Sequence, residues 1–184
     1  DPGPGQARVR HKAIGVNFVD TYQRSGLYPM QVPATAGNEG AGAVEAVGPG
    51  VTTVKPGDRV TYTGLPGSYC DVRLVPAERL VKLPEGVSEE TAASMTLKGM
   101  TVQYLIHRTY AVKPGDMVLW HAAAGGVGLI AGQWLKAIGA VSIGTVGSEE
   151  KAALAKAHGW QHVINYSKEN FVEKVKALTG GKGV

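Results

Sequence analysis

The stretch Trp120-His121-Ala122-Ala123-Ala124-Gly125-Gly126-Val127-Gly128 (WHAAAGGVG, 120–128) decides the fold. Ahead of it, Met117–Trp120 (MVLW) reads as an apolar strand. Behind it, Val127, Ile130, Ala131, Trp134 and Ile138 recur at helical spacing. A glycine-rich turn that leaves a strand and opens a helix is the context of a dinucleotide fingerprint. The segment reads AxGxxG, with Ala123 in the place of the first glycine. Gly125 suits close approach of the backbone to a pyrophosphate, and Gly128 suits close packing of helix on strand. The N–H groups and dipole at the helix start would face the phosphates. The competing reading is a small-residue turn that only packs a helix on a sheet. The strand before and the helix after favour the cofactor.

Downstream the same rhythm continues. Val141–Val146 reads as a second strand, Glu149–His158 as a second helix and His162–Ile164 as a third strand. Phe171, Val175 and Leu178 mark a third amphipathic helix. Strands alternating with helices imply βαβ units and a parallel sheet. The tip of the second strand chooses the cofactor, because an NAD site typically holds the ribose 2′-OH there with Asp or Glu. Here the tip is Thr145-Val146-Gly147-Ser148, without a carboxylate. Ser148, Lys151 and Tyr166 offer hydroxyls and a positive charge to a 2′-phosphate. Glu149 and Glu150 argue mildly against it, and the plain alternative makes Ser148 an N-cap and Lys151 a solvated lysine. The balance favours NADPH over NADH.

Upstream, residues 1 to about 87 are strand-like and heavily punctuated. Arg8–Gly15, Ala41–Val47, Arg59–Thr63 and Tyr69–Val75 are β-rich runs, separated by breakers such as Gly48-Pro49-Gly50 and Pro56-Gly57-Asp58. Such a pattern suits a small barrel or sandwich. Asn17–Arg24 reads as a helical turn or two. Ser88, followed by Glu89 and Glu90, reads as the cap of a helix running to Tyr110 with a break near Gly99.

Glycine accounts for 26 of 184 residues, about twice the average usage of roughly 7%. No run approaches the roughly 18 apolar residues of a membrane span, and the start DPGPGQARVRHK lacks the apolar stretch of a secretory signal. Cys70 is the single cysteine, which excludes an intrachain disulfide and a multi-cysteine zinc site. A cytoplasmic location is expected. The net charge of +4 comes from scattered Lys and Arg, so nothing asks for a nucleic-acid partner.

Six segments carry a resemblance: AIGVNFVDTYQRSG (13–26), GNEGAG (37–42), KPGDRV (55–60), LKGMT (97–101), HAAAGGVG (121–128) and VINY (163–166). Together they resemble the medium-chain dehydrogenases/reductases over nearly the whole chain, and within them the zeta-crystallin-like NADPH:quinone oxidoreductases. The resemblance implies an α/β fold with a β-rich domain. Residues 1–95 would be a GroES-like barrel lacking its N-terminal part. Residues 96–184 would be the first half of a Rossmann doubly wound parallel sheet. Three strands do not complete such a sheet, so a longer protein is expected, with Val184 opening a fourth strand.

The zinc enzymes of that superfamily carry Cys and His ligands, including a GHE motif. Gly37-Asn38-Glu39 holds Asn38 at the His position, and Asn17 resembles the first cysteine position, so a metal-free protein is expected. Without a Lewis acid, an easily reduced conjugated acceptor is the better substrate. The resemblance implies that Asn17 faces the nicotinamide and the acceptor, beside Phe18, Asp20 and Tyr22. Asn17 and Tyr22 would be catalytic, and Tyr22 and Tyr28 would border the acceptor. Thr101 and Tyr104 would border the cofactor, Ala124, Gly125, Gly126 and Val127 the pyrophosphate, and Gly147, Ser148, Lys151 and Tyr166 the 2′-phosphate. For Asp20, a capping role is the stronger reading. The expected activity is reduction of quinones by NADPH in a homo-oligomer, a dimer by resemblance. A zinc-free enoyl or alkenal reductase is the alternative. An NADPH-binding structural or RNA-binding protein with little catalysis is a third reading.

Overall fold

A computed structural model describes all 184 residues. The chain divides into two compact units, Asp1–Leu97 and Lys98–Val184.

The first unit contains β1 (Gln6–Gly15), α1 (Phe18–Ser25), β2 (Glu39–Val47), β3 (Arg59–Thr63), β4 (Val72–Pro76) and β5 (Val81–Lys82). Its strands form one antiparallel sheet in the order β4-β1-β2-β3-β5. The register of β1 on β2 shifts at Arg8/Val9 and again at His11/Ala13, and bulges of this kind bend a strand. Ala7, Val9, Val44, Val60, Tyr62 and Val75 form its buried core.

α2 (Glu89–Tyr104) carries the chain from the first unit into the second. Ser88 caps it as the sequence predicts, its Oγ accepting the Thr91 N–H at 3.1 Å. The expected break at Gly99 is absent. A helical glycine costs only about 1 kcal/mol relative to alanine, and Val102 and Ile106, buried in the core, hold the helix through that point. The chain then widens into a π-helical turn over Leu105–Thr109.

The second unit continues with β6 (Met117–Trp120), α3 (Gly126–Ile138), β7 (Val141–Val146), α4 (Glu149–Ala157), β8 (His162–Asn165) and α5 (Phe171–Leu178). Its three strands are parallel in the order β6-β7-β8. The central strand β7 is buried from Ser142 to Val146, as a strand covered on both faces should be. Trp160 locks α3 to the sheet, its indole N–H donating to the Gly128 carbonyl at 3.1 Å.

One further expectation needs correction. Tyr69 and Cys70 do not belong to a strand, since β4 begins at Val72. The backbone there turns back on the 36–37 loop, with Tyr69 N–H bonded to Ala36 O and Ser68 N–H to Gly37 O.

Candidate functional site

In the second unit the glycine-rich turn has the geometry the sequence asks for. Ala122 holds a left-handed φ of 55°, and the Ala123 N–H bonds Thr145 O at 3.0 Å, tying the turn to β7. Gly125 is the N-cap of α3, and no side chain caps that helix. The first-turn N–H groups of a helix have no intrahelical acceptor, so this end suits an anion. By contrast, α4 is capped by Ser148 Oγ and α5 by Asn170. A Cβ on Gly128 would stand 2.5 Å from Ala122 O and 2.6 Å from Ala123 O, which explains the glycine there. A Cβ on Gly126 would stand 2.9 Å from Lys98 Cδ, so a lysine stem runs beside the turn. Ala124 and Val127 are half-buried in the same turn. Thr101 and Tyr104 sit three residues apart on α2 and therefore share a face.

The tips of β7 and β8 are joined. Tyr166 N–H donates to Val146 O at 3.0 Å, and Ser167 Oγ donates to Gly147 O at 2.9 Å. The Tyr166 hydroxyl would lie 2.8 Å from a Cβ on Gly147, so phenol and turn are neighbours. Ser148 Oγ accepts the Lys151 N–H at 3.2 Å, which confirms it as an N-cap and leaves the Lys151 side chain on an exposed residue. Glu149 turns to Asn165 and Lys168 at 2.8 and 3.1 Å. Its carboxyl is held below the usual range, first by the Asn165 hydrogen bond and then by Lys168.

In the first unit, Asn17 is the N-cap residue of α1 and is buried. Its N–H donates to Asp20 Oδ2 at 2.8 Å, and its amide donates to Glu39 Oε2 at 2.7 Å. The Asn38 amide donates to Asp20 Oδ1 at 2.6 Å and to Gln23 Oε1 at 2.8 Å. The Tyr69 hydroxyl donates to Asp20 Oδ2 at 2.8 Å, and Leu97 N–H donates to Glu39 Oε1 at 2.6 Å. Burial, then the bond to Asp20 and its charge, push the Tyr69 phenol up to about 12. Asp20 is thus a buried hub with both oxygens engaged, in keeping with a capping role. Phe18 is 79% exposed, Tyr22 is half-buried, and Tyr28 is exposed. Tyr22 joins the two, its ring centroid 6.2 Å from that of Phe18 and 5.3 Å from that of Tyr28.

Sequence reasoning missed Glu39, Tyr69, Lys98, Asn165 and Lys168. Glu39 left a signal: an acid opening the small-residue run EGAGAV at the start of β2. A Cβ on Gly15 would stand 2.5 Å from Glu39 Oε2, so that glycine makes room for the carboxylate.

The chain matches two family models, the alcohol dehydrogenase GroES-like domain over residues 3–85 and the zinc-binding dehydrogenase over residues 126–184. It is 54% identical over 184 residues to a quinone oxidoreductase of Pseudomonas aeruginosa, covering 99% of this chain and 57% of the relative. It is 53% identical to a 2-haloacrylate reductase of Burkholderia, covering 100% of this chain and 57% of the relative. The crystal structure of Escherichia coli quinone oxidoreductase complexed with NADPH superposes with a TM-score of 0.96 at 51% identity, over 99% of this chain and 56% of that one. The chain therefore spans just over half the length of these relatives.

The zinc in the second description does not fit the residues present. Asn17 and Asn38 offer amides already bonded to carboxylates. No three His, Cys, Asp or Glu side chains come together as a metal-binding group. What the comparisons share is the succession of a GroES-like domain and a dinucleotide-type βαβ unit, and by that succession the chain belongs to the medium-chain dehydrogenases/reductases.

Proposed function

We propose that the protein reduces quinones with NADPH by hydride transfer, without a metal. The observation that carries this reading is the open N-terminus of α3, with Gly125 in place of a capping side chain. The identity to relatives named quinone oxidoreductases, one of them complexed with NADPH, supports it. Residues 1–95 serve the acceptor and residues 96–184 the cofactor. The proposal extends to a cytoplasmic homo-oligomer acting on a small molecule.

Bound NADPH supplies the hydride, and the protein's share is binding and orientation. In the second unit, the N–H groups of Gly126, Val127 and Gly128 hold the pyrophosphate. Gly147, Ser148, Lys151 and Tyr166 surround the 2′-phosphate, and Thr101 and Tyr104 border the cofactor. In the first unit, Asn17 faces the nicotinamide and the acceptor, its amide fixed by Glu39 at 2.7 Å. Asp20 acts on this site by holding Asn17 and α1, while Phe18, Tyr22 and Tyr28 supply aromatic surface. The hydroxyls of Tyr22 and Tyr28 hydrogen-bond the acceptor carbonyls. A quinone spreads the arriving negative charge over its ring and takes up a proton from solvent to give the hydroquinone.

The 53% identity to a 2-haloacrylate reductase favours a second reading, reduction of an activated alkene. Steady-state oxidation of NADPH by the full-length gene product, offered a simple quinone and an α,β-unsaturated carbonyl side by side, separates the two. Turnover with quinone alone supports the proposal, and turnover with the alkene alone replaces it. Loss of NADPH and NADH affinity in equal measure on Lys151→Glu would remove Lys151 from the phosphate site.

A further inference from the structure

Glu149 follows directly on the β7 tip, where a carboxylate ordinarily binds a ribose 2′-OH and disfavours a phosphate. In this structure that carboxylate is engaged. Its Oε1 accepts from Asn165 Nδ2 at 2.8 Å and lies 3.1 Å from Lys168 Nζ. The Asn165 amide has only one way round, because its Oδ1 accepts the Ser167 N–H at 3.1 Å and so its Nδ2 faces Glu149. Asn165 is also buried, which fixes it further.

We propose that Asn165 and Lys168 are specificity-determining positioning residues: they hold and neutralise Glu149, so that the turn after β7 accepts a 2′-phosphate despite an acid beside it. The inference rests on the NADPH reading above and deepens it. Glu149 remains ionised at neutral pH, since Asn165 and then Lys168 lower its pKa, so pairing rather than protonation cancels its charge. The same contacts join the β8 turn to the β7 turn, together with Ser167 Oγ on Gly147 O, and so keep Tyr166 beside Gly147. A phosphate monoester carries about −1.5 to −2 charges, so an uncompensated Glu149 would act on NADPH and hardly on NADH.

The test is a double-mutant cycle on the full-length gene product, read as dissociation constants for NADPH and NADH by fluorescence titration at low ionic strength, where exposed charges are least screened. Lys168→Gln should weaken NADPH by about threefold to fivefold, as exposed pairs allow at their upper end, and leave NADH unchanged. In a Glu149→Gln background the same Lys168→Gln change should alter NADPH binding by less than about twofold. An undiminished loss in that background would show that Lys168 contacts the phosphate itself and would overturn the proposal. So would an unchanged NADPH-to-NADH ratio in Lys168→Gln. A wild-type protein that binds both nucleotides equally would instead sink the NADPH reading, and this inference with it.

Discussion

The side-chain amide of Asn17, the N-cap of α1, donates at 2.7 Å to Oε2 of Glu39, the first residue of β2. Both are buried, with Glu39 fully enclosed. Asn17→Ala removes a bond to a buried carboxylate and is expected to destabilise the fold by about 1–3 kcal/mol. Asn17→Asp places two carboxylates together, so one must hold a proton. That variant should therefore lose more stability at pH 8 than at pH 5. Urea unfolding at both pH values checks the order.

The Tyr69 phenol is raised from 10.0 to about 12. A raised acid pKa means the folded state favours the protonated form. Its contribution is complete below about pH 10 and is lost as pH rises through about 12. Tyr69→Phe should be less stable than wild type at neutral pH, and the difference should shrink across that window. Absorbance titration of the phenols should show one high-pKa tyrosine fewer in the variant, with Tyr62, also raised by burial, still present.

His11 titrates in the opposite sense. Burial lowers its pKa, and Arg73 adds to this, while the Cys70 carbonyl and Asp71 oppose it. Its Nδ1 lies 2.6 Å from Cys70 O and its Nε2 2.7 Å from Tyr62 Oη, so the neutral ring donates to the carbonyl and accepts from the phenol. Because the unfolded chain binds this proton more readily, stability is full above about pH 6.5 and falls as pH drops through the lower folded value. His11→Gln should flatten that acid limb in unfolding curves taken from pH 7 to pH 5.

Glycines of the nucleotide turn should differ sharply in tolerance. Gly128→Ala meets two carbonyl oxygens at 2.5 and 2.6 Å, whereas Gly125→Ala meets one at 3.2 Å. Overpacking of the first kind costs about 1–3 kcal/mol. Gly128→Ala should therefore lower the melting temperature and weaken NADPH binding, with Gly125→Ala affected less in melting temperature. Equal melting temperatures would show that α3 moves off the sheet without penalty.

The sequence was most legible in the parallel sheet. Met117–Trp120 and Val141–Val146 read as strands at the bounds the structure shows, the first a continuous apolar run that is half-buried at the sheet edge, the second the central strand, buried from Ser142 to Val146. Ser88 read as a cap because its hydroxyl and the two acids after it state a local rule. Tyr69 and Cys70 misled, since their alternation is strand-like while a backbone bond to Ala36, far away in sequence, sets their path. Gly99 misled in the other direction, a local weakness overridden by Val102 and Ile106 in the core. The candidate site followed the same division. The turn at 120–128 carries its own geometry, whereas Asp20's partners Asn38 and Tyr69 and Glu149's partners Asn165 and Lys168 come from other turns.

Gly125 leaves α3 without the side-chain oxygen that closes α4 and α5. An end built this way is completed by solvent or by an anionic ligand. Any ligand that binds it only in the folded state adds to the second unit's stability in proportion to the logarithm of its concentration. On the proposed function, folding of that unit would be linked to the supply of nucleotide, through a helix whose first turn is finished from outside the chain.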